Sequence, residues 1–262
     1  MNSSQHAHAV CQNGRRIHVL AQDERGQRLV EAGGNVNPPA LQLWKRLASE
    51  NWTHVIDVGA NYGEMLVNLS WPDSTSLIAV EPNPMLVPLL ERTMSEAGLQ
   101  VQIVPKALSS VEASAQFQAD RTWSGLSRLG KQPHPEGHGH EVEHIEVKVT
   151  TLASLLLDGN SPSTERLLLK VDVEGAECDV LRGLDPILEQ LQDFACMIEV
   201  LHMPDEDLEW LVKQFRPEVF DPITNQLIPI HGDGRRLRSM LRLGIFHYQD
   251  VVVRRRARSG TQ

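Results

Sequence analysis

His54-Val55-Ile56-Asp57-Val58-Gly59-Ala60-Asn61-Tyr62-Gly63 is a short, mostly apolar run that ends in a glycine-rich turn. Five such residues closed by glycine read as a buried strand, and an apparent helix follows the turn. Gly59 lets the chain turn sharply and lets a ligand approach the main chain. The helix start offers free N–H groups and the positive end of a dipole to a carboxylate or phosphate. A nicotinamide-binding turn has G-x-G-x-x-G at this point. Here the spacing is G-x-x-x-G, with an acid, Asp57, two residues before the first glycine. An acid in that place suits a ligand carrying a cation, such as the ammonium of an amino acid. The plainer alternative is a tight turn with no ligand.

Outward from this turn, strands alternate with helices. Residues 77–81 form a second strand, 85–97 a helix stopped by Gly98, and 101–104 a third strand. Further strand candidates are 115–119 and 143–149. Residues 167–173 are strongly apolar around one lysine. They lead into a helix with Ala176, Val180, Leu181 and Leu184 on one side, broken at Gly183 and restarted by Asp185-Pro186. A strand at 194–200, a helix capped by Asp205 and a last strand at 245–253 complete the series. Upstream, residues 1–14 read as loose and 15–32 as a small hairpin around Glu24-Arg25-Gly26. Pro38-Pro39 opens a helix whose Leu41, Trp44, Leu47 and Ala48 share a face. The pattern predicts an α/β fold with a doubly wound, mostly parallel sheet and helices on both faces. Three regions follow: an N-terminal extension (1–50), the main domain (51–253) and a basic tail (254–262).

Ligands of such sheets bind at the carboxyl ends of the strands. Glu81 ends the second strand, where a carboxylate can accept both hydroxyl protons of a ribose; helix capping is its alternative role, although Asn83 is the better cap. Asp172 and Glu174 interrupt a buried strand and its exit, which is costly unless they are paired or functional. Asp172 shares a strand face with Lys170, so a simple ion pair is the alternative there. Glu199 ends the next strand, and His202 follows it as a candidate base. Carboxylates at adjacent strand ends, Asp172 and Glu199, could accommodate Mg²⁺. Two carboxylates are not a coordination set, however, so no metal site is predicted.

The formal charge is −9, which argues against a nucleic-acid coat, but it is unevenly spread. Residues 235–262 hold eight arginines against one acid, Asp250, a net +7 that leaves −16 for residues 1–234. The tail arginines lack the interleaved aromatics of a nucleic-acid surface. Cys11, Cys178 and Cys196 include no C-x-x-C pair. The start has no apolar run long enough for a signal peptide, and no 18-residue apolar stretch exists. A cytoplasmic protein without a transmembrane segment is therefore expected. His134, His138, His140 and His144 cluster in a Pro- and Gly-rich segment, which reads as an exposed loop on the acceptor side rather than a zinc site.

The combination of D-V-G-A-N-x-G at 57–63, E-P-N at 81–83, K-A-L-S at 106–109, K-V-D-V-E-G-A-E at 170–177, V-L-R-G at 180–183 and I-E-V at 198–200 resembles the FkbM-type methyltransferases. The resemblance spans roughly residues 50 to 253. It implies a Rossmann-like fold of the class I methyltransferase kind, S-adenosylmethionine as cofactor, and transfer of a methyl group to a hydroxyl oxygen of a small molecule or saccharide. It further implies that Gly59, Ala60, Asn61 and Gly63 approach the methionine part of the donor, with Asp57 near its ammonium. Glu81 would hold the ribose, Asn83 would lie beside the adenine, and Lys106, Ala107 and Leu108 would line the adenine side. Asp172 and Glu174 would lie near the transferred methyl, and residues 122–127 resemble a lid. The chain departs from the family at Ala153, where an acid is usual, and at Thr93, where Asn is usual. A nitrogen acceptor and a non-catalytic protein that binds an adenosine ligand are the competing readings.

Overall fold

A computed structural model describes residues 6–130, 139–157, 165–247 and 249–255. Five parallel strands make its centre: β3 (His54–Val58), β4 (Ser76–Val80), β5 (Val101–Val104), β10 (Arg166–Val171) and β11 (Asp193–Glu199). β3 pairs with β4 on one side and β10 on the other, so the winding reverses between β3 and β10. At the far edge, β14 (Asp250–Arg255) inserts antiparallel between β11 and β12 (Phe215–Asp221), and β13 (Gln226–Pro229) closes that side. The expected doubly wound, mostly parallel sheet is present.

Strand residues alternate between two cores, as the period of two requires. Ile56, Ile78, Leu167, Leu169, Ile198 and Val251 pack with α5 (Leu152–Leu157), α6 (Glu177–Arg182), α7 (Asp185–Leu188), α8 (Asp205–Gln214) and α9 (Gly234–Leu241). Val55, Leu77, Ala79, Leu168, Met197 and Val252 pack on the other face. That face is covered by a hairpin, β1 (His6–Val10) and β2 (Arg16–Leu20), and by α1 (Glu24–Glu31), α2 (Pro38–Ala48), α3 (Glu64–Val67) and α4 (Val87–Glu96). Each fully buried Leu or Ile contributes roughly 1.5–3 kcal/mol. Thr93, the departure noted above, is buried on α4, where its hydroxyl accepts the main-chain N–H of His18 on β2 at 2.9 Å. The three cysteines are buried and free. Among the described residues, no helix is long and apolar enough to cross a membrane.

The structure departs from the expected elements in four places. Residues 6–10 are a strand rather than loose chain, and the hairpin turns around Gly14 (φ +81°) instead of Glu24-Arg25-Gly26. Those three residues open α1, because the Asp23 carboxylate caps it by accepting from the main-chain N–H groups of Arg25 and Gly26. The two strand candidates in the middle of the chain, β7 (Ala113–Asp120) and β9 (Val142–Thr150), leave the main sheet. They pair antiparallel in a second sheet, flanked by β6 (Ala107–Leu108) and β8 (Arg128–Leu129). Asp205 does not cap α8; Pro204 is the cap residue, and the Asp205 carboxylate accepts from Arg238 Nε at 2.7 Å.

The last strand begins at Asp250 rather than at 245 and continues through Arg255. Arg254 is therefore not tail: it reaches Glu50 Oε1 at 2.7 Å and Glu218 Oε2 at 3.2 Å, while Arg255 donates to the carbonyls of Leu188, Leu191 and Gln192. Residues 256–262 lie outside the described residues. Removing Arg254 leaves the buried Glu218 carboxylate without this partner. Arg254→Met should lower the unfolding free energy by about 2 kcal/mol in urea denaturation. A change below about 0.5 kcal/mol would mark Arg254 as a solvated surface residue.

Candidate active site

A cleft open to solvent at its mouth lies at the carboxyl ends of β3, β4, β10 and β11. Its floor is the turn after β3. Gly59 has φ +78°, and a Cβ built there would lie 1.9 Å from the carbonyl oxygen of Asp172. No other residue fits between these two main chains. Asn61 also adopts a positive φ, +50°, which aims its N–H at Glu81 Oε2 at 2.9 Å. The other Glu81 oxygen accepts the N–H of Asn83 at 2.8 Å. Glu81 is buried, and burial pushes its pKa up to about 7 against the pull of those two N–H groups. Glu81 thus ties the β3 turn to the β4 exit and lines the cleft, with lone pairs left for a ligand's hydroxyls.

Asp57 lies beneath this floor, 1% exposed. Neither of its oxygens has a hydrogen-bond partner among the described residues, and Lys170 Nζ is 3.9 Å away. Burial raises its pKa to about 6, with Lys170 as the main offset. An orphaned buried carboxylate below a glycine turn fits a site that receives a cationic group.

On the opposite side of the cleft, Lys170 Nζ donates to Asp172 Oδ2 at 3.0 Å, so the ion pair considered from the sequence is present. The chain then turns through Glu174 at φ +60°, and Glu177 fastens the turn by accepting from the N–H groups of Val173 and Gly175. Carboxylate oxygens of Asp172, Glu174 and Glu199 all lie within 4.8 Å of one another, an arrangement that could hold a cation. Burial, followed by the mutual repulsion of these acids, pushes Glu174 and Glu199 well above the ordinary carboxylate range. Asp250, opposite Glu199 in the strand register, also lines the cleft and pairs with the buried His247 at 2.6 Å.

Of the residues proposed from sequence, Gly59, Asn61, Glu81, Lys106, Ala107, Leu108, Asp172 and Glu174 line this cleft. Ala60, Gly63 and Asn83 stand behind it. Gly63 caps α3 at φ +86°, and a Cβ there would strike Met94 Cε at 2.2 Å and Leu90 Cδ1 at 2.8 Å, so its smallness serves helix packing. Asn83 Oδ1 accepts the N–H of Met85, which shapes the entry to α4. His202 is exposed and is not among the lining residues, because the chain leaves the sheet after Glu199. His140 pairs with Asp120 at 2.6 Å and His144 is exposed on β9, while His134 and His138 lie outside the described residues.

The roof joins the 122–127 segment, which resembles a lid, to residues of the N-terminal extension that have no role in the sequence reading. Arg25 on α1 donates to Asn61 Oδ1 at 3.0 Å and to Glu64 Oε1. Asp23 accepts from Tyr62 of the glycine turn, and from both the N–H and the hydroxyl of Ser124 in the 122–127 segment. Asn37 Nδ2 donates to Gln249 Oε1 at 2.5 Å, and both residues line the cleft. The Asp23 cap and the hydrophilic face of α1 were visible signals that this segment is ordered. Nothing local says where Arg25 points.

The chain's residues 57–231 match the model of the methyltransferase FkbM domain. Methyltransferase 1 of Beauveria bassiana (strain ARSEF 2860) is 33% identical over 147 residues, 50% of this chain and 58% of that protein. Methyltransferase sdnD of Sordaria araneosa is 29% identical over 157 residues, 50% of this chain and 60% of that protein. The matches thus span less than two thirds of either relative's own length. Among solved structures, a methyltransferase from Geobacter sulfurreducens shares 10% identity over 88% of this chain and 85% of that one, with a TM-score of 0.43.

The floor of the cleft gives a direct test. Gly59→Ala forces a methyl group into the Asp172 carbonyl and should cost upwards of about 3 kcal/mol in denaturation. Gly175→Ala, also at positive φ but with open space around it, should cost only about 1 kcal/mol. Equal losses would show that the close approach at Gly59 does not constrain the fold.

Proposed function

Because the chain belongs to the FkbM methyltransferase family, we propose that it transfers a methyl group from S-adenosylmethionine to a hydroxyl oxygen of a small molecule or saccharide. The observation that carries this reading is Glu81: a buried carboxylate at the end of β4, held by two main-chain N–H groups, facing the cleft beside the glycine turn. That is where a carboxylate receives the two hydroxyls of a ribose. The bare Gly59 backbone allows the amino-acid end of the same donor to approach, above the buried negative charge of Asp57. Lys106, Ala107 and Leu108 would flank its adenine.

The bound donor supplies a methyl group already activated on a cationic sulfonium. The protein's task is then to align the acceptor, exclude water and take one proton. Alignment of two bound reactants can lower the barrier by roughly 7–11 kcal/mol. Asp172, fixed by Lys170, would orient the acceptor hydroxyl from the β10 exit. The Glu174–Glu199 pair holds a proton more tightly than ordinary carboxylates do. In its deprotonated state it would accept the hydroxyl proton as the new C–O bond forms and the C–S bond breaks. An acidic lining also suits an acceptor rich in hydroxyls, each of which can donate to a carboxylate.

S-Adenosylmethionine and S-adenosylhomocysteine should both raise the melting temperature, and NAD should not; stabilisation by NAD alone would replace this reading with a dehydrogenase. Asp172→Asn should lower transfer of labelled methyl by about 100-fold or more while donor affinity stays within about threefold. Loss of donor affinity instead would contradict the role given to Asp172. Since the reactive carboxylate must be unprotonated, kcat/KM should rise with pH from neutrality to a plateau in the alkaline range. In Glu174→Gln that rise should be displaced, because the pair titrates as a unit. A profile flat from pH 6 to 9 would remove the carboxylate pair from the proton path.

A further inference from the structure

We propose that Arg25 and Glu64 together form the socket for the α-ammonium and α-carboxylate of the donor, with Glu64 Oε2 receiving the ammonium and Arg25 facing the carboxylate. The inference rests on the donor reading above and assigns its amino-acid end to two residues with no other assigned role.

Both side chains line the cleft and both are largely buried, 14% exposed for Arg25 and 10% for Glu64. They come from different parts of the chain: Arg25 from α1 in the N-terminal extension, Glu64 from the first turn of α3, directly after the glycine turn. Arg25 contacts one Glu64 oxygen and also Asn61. The second Glu64 oxygen is buried and has no hydrogen-bond partner among the described residues. A buried carboxylate oxygen without a donor is costly, so its natural complement is a ligand that brings one. A lone cation there would meet the nearby guanidinium. A zwitterion meets no such conflict: its positive end completes Glu64 and its negative end meets Arg25, so the four charges alternate in sign.

The polar side chains around this point bond one another. Asn61 takes Arg25 and bonds Ser124, Ser124 bonds Asp23, and Asp23 takes Tyr62. Asp57, the acid first associated with the ammonium, does not line the cleft, and its nearest cation is Lys170. It acts from beneath as background charge, whereas Glu64 lines the cleft.

Calorimetry with two ligands separates this role from a merely structural ion pair. S-adenosylhomocysteine carries the zwitterion; 5′-methylthioadenosine has the same adenosine and thioether without it. Glu64→Gln keeps an oxygen for Arg25 but puts an uncharged amide in the open position. It should weaken S-adenosylhomocysteine by about 10–100-fold and leave 5′-methylthioadenosine within about threefold. Arg25→Met should show the same selectivity, and retained 5′-methylthioadenosine binding reports that each variant is folded. Equal loss of both ligands, or no loss of either, would overturn the socket while leaving the donor reading intact. If the unmodified protein binds neither ligand, the donor reading fails and the socket fails with it.

Discussion

The main chain of Gly59 and the carbonyl of Asp172 approach so closely that no side chain can stand between them. This contact is the consequence of β3 and β10 running parallel in register, Asp57 opposite Lys170 and Val58 opposite Val171, just where the winding of the sheet reverses. At such a reversal the two connections leave in opposite directions and a crevice opens between them. Here the crevice has the closely apposed Gly59 and Asp172 main chains as its floor. The glycine turn lies on one side of it and the Asp172–Glu174 turn on the other. The two turns are thereby brought side by side by backbone geometry alone, before any side chain takes part.

Charge is distributed around that floor in a graded way. Asp57 and Glu81 are buried and held near neutral pH by desolvation, and Glu174 and Glu199 are pushed higher still. Lys170 bridges the two halves, near Asp57 on one side and bonded to Asp172 on the other. The −16 carried by residues 1–234 therefore includes acids concentrated where a cationic donor and hydroxyl-rich acceptor would lie, in the proposed mechanism. The basic end of the chain has a structural part: Leu237 of α9 and Val253 of β14 are buried in the core, and Arg254 bridges α2's following turn to β12.

The central strands, the glycine turn and the strand-end acids were legible in the sequence because each rests on local rules. Apolar runs of five residues, glycine at positive φ and acids that interrupt buried strands carry their meaning within a few positions. The roof was legible only where residues 122–127 resemble a lid, because its contacts join distant segments: Arg25 meets Glu64 across 39 residues and Ser124 meets Asp23 across 101. His202 was misplaced for a related reason. Its proximity to a strand end in sequence says nothing about whether the following turn bends toward the cleft or, as here, toward solvent. Gly63 shows the converse case, a motif glycine whose freedom serves the packing of α3 against α4. The antiparallel insertion of β14 also escaped the sequence, since an apolar strand reads the same in either direction.

The central claim is that Glu81 marks the ribose site of a methyl donor. A crystal structure of the protein with S-adenosylhomocysteine measures it directly. The account predicts both ribose hydroxyls within about 2.6–3.2 Å of the Glu81 carboxylate, with the adenosine along the β4 exit. Density for the adenosine elsewhere, with Glu81 bonded only to the N–H groups of Asn61 and Asn83, would contradict it and reduce Glu81 to a structural tie.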